Sequence, residues 1–391
     1  MKHLLFTLFI LSPLLALAES RDDDCLPGGF VTSMLNDALE RAVSKADTAQ
    51  AEDKPEYGRN VGKYASAPVF GGYIVGSYKY SSEQGAHNGA GFGIRNLRVY
   101  VNGTVLRDFY YRVQAELSGS PHLKDAYLEW RRLTELRVKL GQYKRPFTFE
   151  NPLNPWDVGA GDYSQLAKKL AGYSDYSYSE ASGNNGGRDL GLQLSGDLIK
   201  LKGGRYRLLH YEAGVFNGQG INTTDANGKK DWMGNIQLQP VEGLYLGVFG
   251  WKGSLTEDGV TVSRDRWAVG AQYERKDWTA RAEYAHHVGH KISDYVPATD
   301  LEPAHWQGNA RADAWYVTVG VPCTPWLKLY AKYDAYRSDK TNATLCSMYT
   351  ICPNFQLHKN LMLQVQYNYV CDKTAASHSH HELWAETYIR F

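Results

Sequence analysis

Leu383-Trp-Ala-Glu-Thr-Tyr-Ile-Arg-Phe391 is the stretch on which the reading of this chain turns. Leu383, Ala385, Thr387, Ile389 and Phe391 can all face an apolar medium, whereas Trp384, Glu386, Tyr388 and Arg390 are polar or amphipathic. Alternation with period two is the mark of a strand, because successive side chains point to opposite faces. Leu361-Met-Leu-Gln-Val-Gln-Tyr-Asn-Tyr369 repeats the pattern: Leu, Leu, Val, Tyr and Tyr on one face, Met, Gln, Gln and Asn on the other. One apolar side, one hydrogen-bonding side and aromatic residues at the end suit a strand between lipid and water.

The same pattern recurs through the chain. Strands are expected at 97–101, 109–117, 126–130, 136–140, 190–194, 267–273, 278–284 and 327–333, with a weaker one at 345–351. Asn102-Gly103 reads as a hairpin turn at 102–104, placing Val105 opposite Val101. Short connections (102–104, 131–135, 240–243, 274–277, 322–325, 353–359) alternate with long ones (151–187, 217–230, 253–264, 289–310, 338–343, 371–381), the rhythm of short turns on one side of a membrane and long loops on the other. The expected fold is an all-β transmembrane antiparallel barrel of about 16 strands, enough to enclose an aqueous channel. An exported soluble β-sandwich would alternate in the same way; the loop rhythm and the number of like strands argue against it.

Composition agrees. No segment after residue 18 is a transmembrane helix, and mean hydropathy is −0.46, as expected when only half of each strand meets lipid. The 28 Tyr and 10 Trp against 12 Phe suit interfacial girdles and a wet wall. A formal net charge of +1 supplies no basic field for nucleic acid. Met1-Lys2-His3, the apolar run Leu4 to Leu17 and Ala16-Leu17-Ala18 read as a signal peptide over 1–18. Residues 19–62 read as a separate periplasmic segment, either helical, on the stripe between Phe30 and Gln50, or an irregular leader, and 63–391 is the barrel. Five cysteines (Cys25, Cys323, Cys346, Cys352, Cys371) allow two bridges, Cys346 to Cys371 and Cys323 to Cys352; apolar wall positions are the plainer reading.

Leu140-Gly-Gln-Tyr-Lys-Arg-Pro-Phe147, followed by Glu150, resembles a segment of the porin O/P family, the phosphate-selective porins of the bacterial outer membrane. Ile94-Arg-Asn-Leu-Arg98 is similar to that family's first long hairpin, and Arg188-Asp-Leu-Gly191 to its re-entry strand. The final strand likewise resembles the closing strand of outer-membrane barrels, in which the terminal aromatic, here Phe391, is read by the barrel-assembly machinery. The resemblance implies a homotrimeric porin without cofactor, a barrel in outer-membrane lipid whose third loop, here 151–187, folds inward and narrows the pore. It would pass small hydrophilic solutes and ions, anions such as phosphate among them.

On that reading the constriction would be served by Lys168 and Lys169, with Arg145 and Arg188 at the loop bases. Asp157, Asp162, Asp175 and Glu180 stand against them in the same loop. Strand parity sends Arg98, Arg112, Arg137, Lys139, Arg266, Arg281, Lys328, Lys332 and Arg390 to the lumen, with Glu116, Asp125, Glu129, Glu212, Glu274, Glu283, Asp334 and Glu386. Opposed charges on a wet wall give mild ion selectivity and weak salt bridges. Tyr173, Tyr176 and Tyr178 suggest an alternative, flat faces for sugar rings in a maltoporin-like channel. Nothing arranges a nucleophile with a base. The histidines near His286 and His380 match no established metal-ligand spacing, so neither an enzyme nor a metal site is expected.

Overall fold

The final strand closes the molecule. In the computed structural model, which describes residues 65–83, 90–177, 186–225, 227–300, 302–308 and 310–391, Ser379–Arg390 pairs antiparallel with the first strand, Val69–Ser81, in the register Tyr73 to Arg390 and Ile74 to Ile389. Beyond it, Phe391 and Gly72 exchange both backbone bonds, at 2.9 and 3.1 Å. A Cβ on Gly72 would stand 2.4 Å from the Arg98 carbonyl oxygen and 2.6 Å from the Phe391 ring, so the seam tolerates only glycine there. The signal-peptide reading, segment 19–62, Cys25, Tyr178 and Glu180 lie outside the described residues.

Sixteen strands, each hydrogen-bonded to its neighbours in sequence, form the closed antiparallel barrel. They are β1 (Val69–Ser81), β2 (Ala90–Val105), β3 (Phe109–Glu116), β4 (His122–Trp130), β5 (Arg137–Lys144), β6 (Arg188–Leu201), β7 (Tyr206–Phe216) and β8 (Asp231–Val241). The second half comprises β9 (Leu244–Glu257), β10 (Val260–Arg275), β11 (Trp278–Gly289), β12 (Ala310–Thr324), β13 (Leu327–Arg337), β14 (Leu345–His358), β15 (Leu361–Asp372) and β16 (Ser379–Arg390). Closure leaves no unpaired edge, the condition for crossing a bilayer with strands. No helix among the described residues is long and apolar enough to cross a membrane.

The apolar stripe faces out. Leu140, Leu194, Ile236, Val248, Val317, Ile351, Leu383 and Ile389 are all exposed, while the residues beside them in sequence line the interior. Trp267 and Trp278 are exposed nearer the long-loop and short-turn ends of the wall respectively, as interfacial girdles require.

Three local expectations give way. The first turn is not at 102–104: β2 continues through Asn102 and Gly103, opposite Arg112 and Tyr111, and the chain reverses at Leu106-Arg107-Asp108, where Leu106 and Arg107 take φ of 51° and 66°. Gly103 serves the strand instead, since a Cβ there would meet the Tyr111 hydroxyl at 2.8 Å. The connections expected at 253–264 and 353–359 shrink because β9, β10 and β14 run on to hairpins at Asp258-Gly259 and Lys359-Asn360. The cysteine pairs do not form, and all four described cysteines are free. Cys346 stands opposite Asp372, and Cys371 opposite Ser347, so the two sulfurs lie on opposite faces of the sheet. Cys352 is buried on the inner wall, whereas Cys323 is exposed at the short-turn end.

Candidate functional site: the pore and its constriction loop

The loop between β5 and β6 spans residues 145–187, longer at its start than 151–187, and its described residues, 145–177 and 186–187, do not stand above the rim. Its first residues leave Lys144 and pack inward: Phe147, Leu153, Val158, Ala160, Tyr163, Leu166 and Leu170 are almost wholly buried. Two single helical turns, Pro155–Val158 and Leu166–Leu170, the second of π type, supply the compact apolar side.

Wall groups hold the loop strand by strand. On β11, Glu283 accepts from the Phe149 and Glu150 amides at 2.8 and 3.1 Å and from the Tyr316 hydroxyl of β12 at 2.5 Å. On β13, Lys332 donates to the Asp162 carbonyl at 2.7 Å and Asp334 accepts from the Gln165 amide at 2.8 Å. Asn354 and Gln364, from β14 and β15, both donate to the Gly159 carbonyl, at 2.8 and 2.9 Å. Arg390 reaches Asp157 at 3.2 Å across the Trp156 ring, and Arg95 of β2 bridges Asp162 at 2.7 Å and Glu386 at 2.6 Å. On the return, Arg266 of β10 grips Asp175 through both guanidinium nitrogens, at 2.9 and 2.6 Å, with neither side chain exposed. Contacts with wall strands so far apart put the loop inside the barrel, across its lumen.

Three of the four expected cations, Lys168, Arg145 and Arg188, are spent within this framework. Lys168 pairs with Asp162 at 2.7 Å; Asp162 is held well below the usual carboxylate range because Lys168 and Arg95 outweigh the burial that pushes it up. Burial pushes Lys168 down, yet Asp162 raises it further, so both members stay charged. Lys169, on the next position of the turn, has no ion pair among the described residues. Arg145 and Arg188 sit at the two bases, fully buried, paired with Asp189 at 3.1 Å and Asp125 at 2.7 Å. Arg145 also lies 4.9 Å from the Trp251 ring, which Arg264 and Arg266 share.

The two described tyrosines of the three, Tyr173 and Tyr176, pack within the loop and against the wall. Tyr173 packs tilted against Tyr163 with centroids 4.7 Å apart; Tyr176 packs edge-on to His287 and Tyr336 and donates to the Ser338 carbonyl at 2.9 Å.

On the wall, Arg98 pairs with Glu116 at 2.7 Å, Arg137 with Asp197 at 2.8 Å, Lys139 with Glu129 at 3.5 Å and Arg281 with Glu274 at 2.7 Å. Arg112 lies over the Tyr100 ring at 4.3 Å, and Lys328 donates to Thr279 at 2.9 Å. The histidines do not gather: His287 accepts from Arg266 at 3.1 Å, whereas His381 packs on Tyr369.

Two lumen cations escape the alternation rule. The pairing shifts between Val75 and Gly76 of β1, leaving Arg95 as the extra residue of β2, and between Gln114 and Ala115 of β3, leaving Lys124 as the extra residue of β4. Each bulge turns an additional side chain inward, so Lys124 and Asp125 are both buried on the lumen side. A signal was present in the sequence: by parity both would face lipid, where a Lys or Arg costs about 2–4 kcal/mol at the bilayer midplane. A charge at a lipid position therefore marks a break in register.

Residues 71–197 match the family model described as phosphate-selective porin O and P. Among solved structures, the fold is similar to an anion-selective porin from Comamonas acidovorans, at 15% identity and a TM-score of 0.61, covering 84% of this chain and 100% of that one. It is also similar to the outer-membrane channel DcaP of Acinetobacter baumannii, at 14% identity and a TM-score of 0.60, covering 88% and 100% of the two chains. The trimer form of in-vitro-folded OmpT of Vibrio cholerae follows at 12% identity and a TM-score of 0.53, covering 84% and 100%. No curated protein sequence matches. Over β1 to β6 the chain is thus similar to the phosphate-selective porins O and P, and its closed barrel of sixteen strands is the fold of the bacterial outer-membrane porins.

Proposed function

We propose that the channel passes small hydrophilic solutes and ions by diffusion, with a modest preference for anions. The observation that carries this reading is the fate of the loop acids. Asp157, Asp162 and Asp175 are each bound to a cation, while Lys169 has no ion pair among the described residues. Opposite the loop's anchors, Tyr127, Glu129, Lys139, His210 and Glu212 of β4, β5 and β7 stay only half-buried, which supports a water path along that side. The anion-selective porin of similar fold agrees with the preference.

Reversal potential across a planar bilayer in a KCl gradient tests the reading. Chloride should permeate more readily than potassium, with a ratio of a few-fold, as charged rings in a wide wet pore give. A cation-selective potential would overturn the preference, and a folded protein that carries no current would overturn the channel. Maltooligosaccharides should leave the current unblocked, because Tyr173 and Tyr176 are committed to packing.

The same reading includes a homotrimer in outer-membrane lipid, supported by the trimeric neighbour, and recognition of Phe391 by the assembly machinery, supported by its exposure at the barrel seam.

A further inference from the structure

We infer that the outward face of β8 to β12 carries a site for one anionic lipid of the leaflet at the long-loop end. Its acyl chain would lie in a recess of the wall, and its charged headgroup on Arg311 and Lys340. The site concerns the membrane around the barrel and is independent of what the pore passes.

The recess has a volume of about 540 Å³, and its outward lining includes Ile236, Leu246, Val248, Tyr284, Trp315 and Val317. The register explains it. Across β9 to β12 one row reads Leu246, Ala271, Ala282 and Val317, so two methyl groups stand side by side between larger neighbours. On a lipid-facing wall such an alanine pair leaves a depression whose lining gains contacts only when a chain fills it.

At the long-loop end of the recess the chemistry changes. The Tyr284 hydroxyl donates to Asp313 at 3.1 Å, and Arg337 grips the same carboxylate at 2.8 and 2.5 Å while lying 5.2 Å from the Trp315 ring. Asp313 and Arg337 are directly paired across β12 and β13 and share the outward face with Trp315. An ion pair on the membrane side belongs where hydrocarbon gives way to headgroups, because charge nearer the midplane is costly. Asp313 is thereby spent, and Asp339 is spent on the Thr341 amide and the Thr341 and Thr344 hydroxyls. Asp265, another acid on this face, stands opposite Lys252 and two strands away from Arg311. Arg311 and Lys340 are exposed and have no ion pair among the described residues. Both stand close enough to His286, the residue opposite Asp313, to act on its charge. Two free cations, then Trp and Tyr, then an apolar recess match in order the headgroup, interface and chain of an anionic lipid.

The test is native mass spectrometry of the detergent-purified barrel titrated with phosphatidylglycerol and, separately, with phosphatidylcholine of the same chains. The variants are A282W, which fills the recess, R311Q/K340Q, which removes both free cations, and L140W, which adds bulk at an exposed position of β5 outside it. Heat-modifiable migration confirms that each is folded. Wild type should retain one phosphatidylglycerol per barrel more tightly than phosphatidylcholine. R311Q/K340Q should weaken phosphatidylglycerol binding roughly tenfold and leave phosphatidylcholine unchanged. A282W should abolish retention of both lipids, and L140W should match wild type. Equal retention of the two lipids by wild type overturns the site, as does wild-type retention by A282W or by R311Q/K340Q, or equal loss in L140W. A wild type that holds a second barrel in place of lipid, and loses it in A282W, assigns the recess to contact between copies and overturns the site too.

Discussion

At the scale of single residues, the molecule depends on a few positions where space or charge leaves one choice. Gly72 is one. A Cβ there runs into the Arg98 carbonyl and the Phe391 ring at the seam that closes the cylinder. Gly72→Ala should lower the yield of heat-modifiable barrel and cost about 1–3 kcal/mol in a urea titration, the usual range for overpacking; a variant as stable as wild type would show that the seam can shift. Asp162 is another. Its depressed carboxyl means that the ionised form favours the fold, so its contribution is complete above the unfolded value of 3.8 and is lost as pH falls through the lower folded value. The stability difference between wild type and Asp162→Asn should therefore be constant from neutral pH to about pH 4 and shrink only below that. A difference that already fades at pH 6 contradicts the pairing with Lys168 and Arg95.

At the scale of elements, the constriction loop is a tethered strap whose return depends on Arg266 and Asp175, both fully buried. Removing one partner of such a pair strands the other charge, at a cost of about 3–5 kcal/mol. Asp175→Ala should therefore free the loop's second half from β10. The expected result in single-channel recordings is a noisier current with sub-conductance steps, while the barrel still migrates as folded. Quiet, wild-type currents would mean that the Glu283 contacts with Phe149 and Glu150 fix the loop unaided. The strands themselves behave more simply. Their alternation sets which face meets lipid, and two of the bulges that break it turn Arg95 and Lys124 inward.

At the scale of the whole molecule, a closed sheet of sixteen strands with apolar residues outside and charged pairs inside has one stable setting, a bilayer around it and water within. Its architecture was legible in the sequence because period-two alternation and the spacing of connections are local properties, carried by stretches such as Leu361 to Tyr369 and Leu383 to Phe391. The inward direction of Arg98, Arg281 and Lys332 followed from the same parity. The exact turns did not follow, since Asn102-Gly103 has the chemistry of a hairpin but is held extended by pairing with Arg112 and Tyr111. Nor did the state of the charges. Lys168 and the two base arginines were found from sequence as candidates, yet their neutralisation by Asp162, Asp189 and Asp125 joins residues far apart in the chain. Sequence alone thus determined the barrel and the side facing lipid, because each depends on neighbours one or two residues away, whereas the loop that enters the pore was expected only through the resemblance to the porin O/P family. Only the tertiary structure decided which charges remain free in the lumen, because that depends on bulges and on contacts that form when the loop crosses the closed wall.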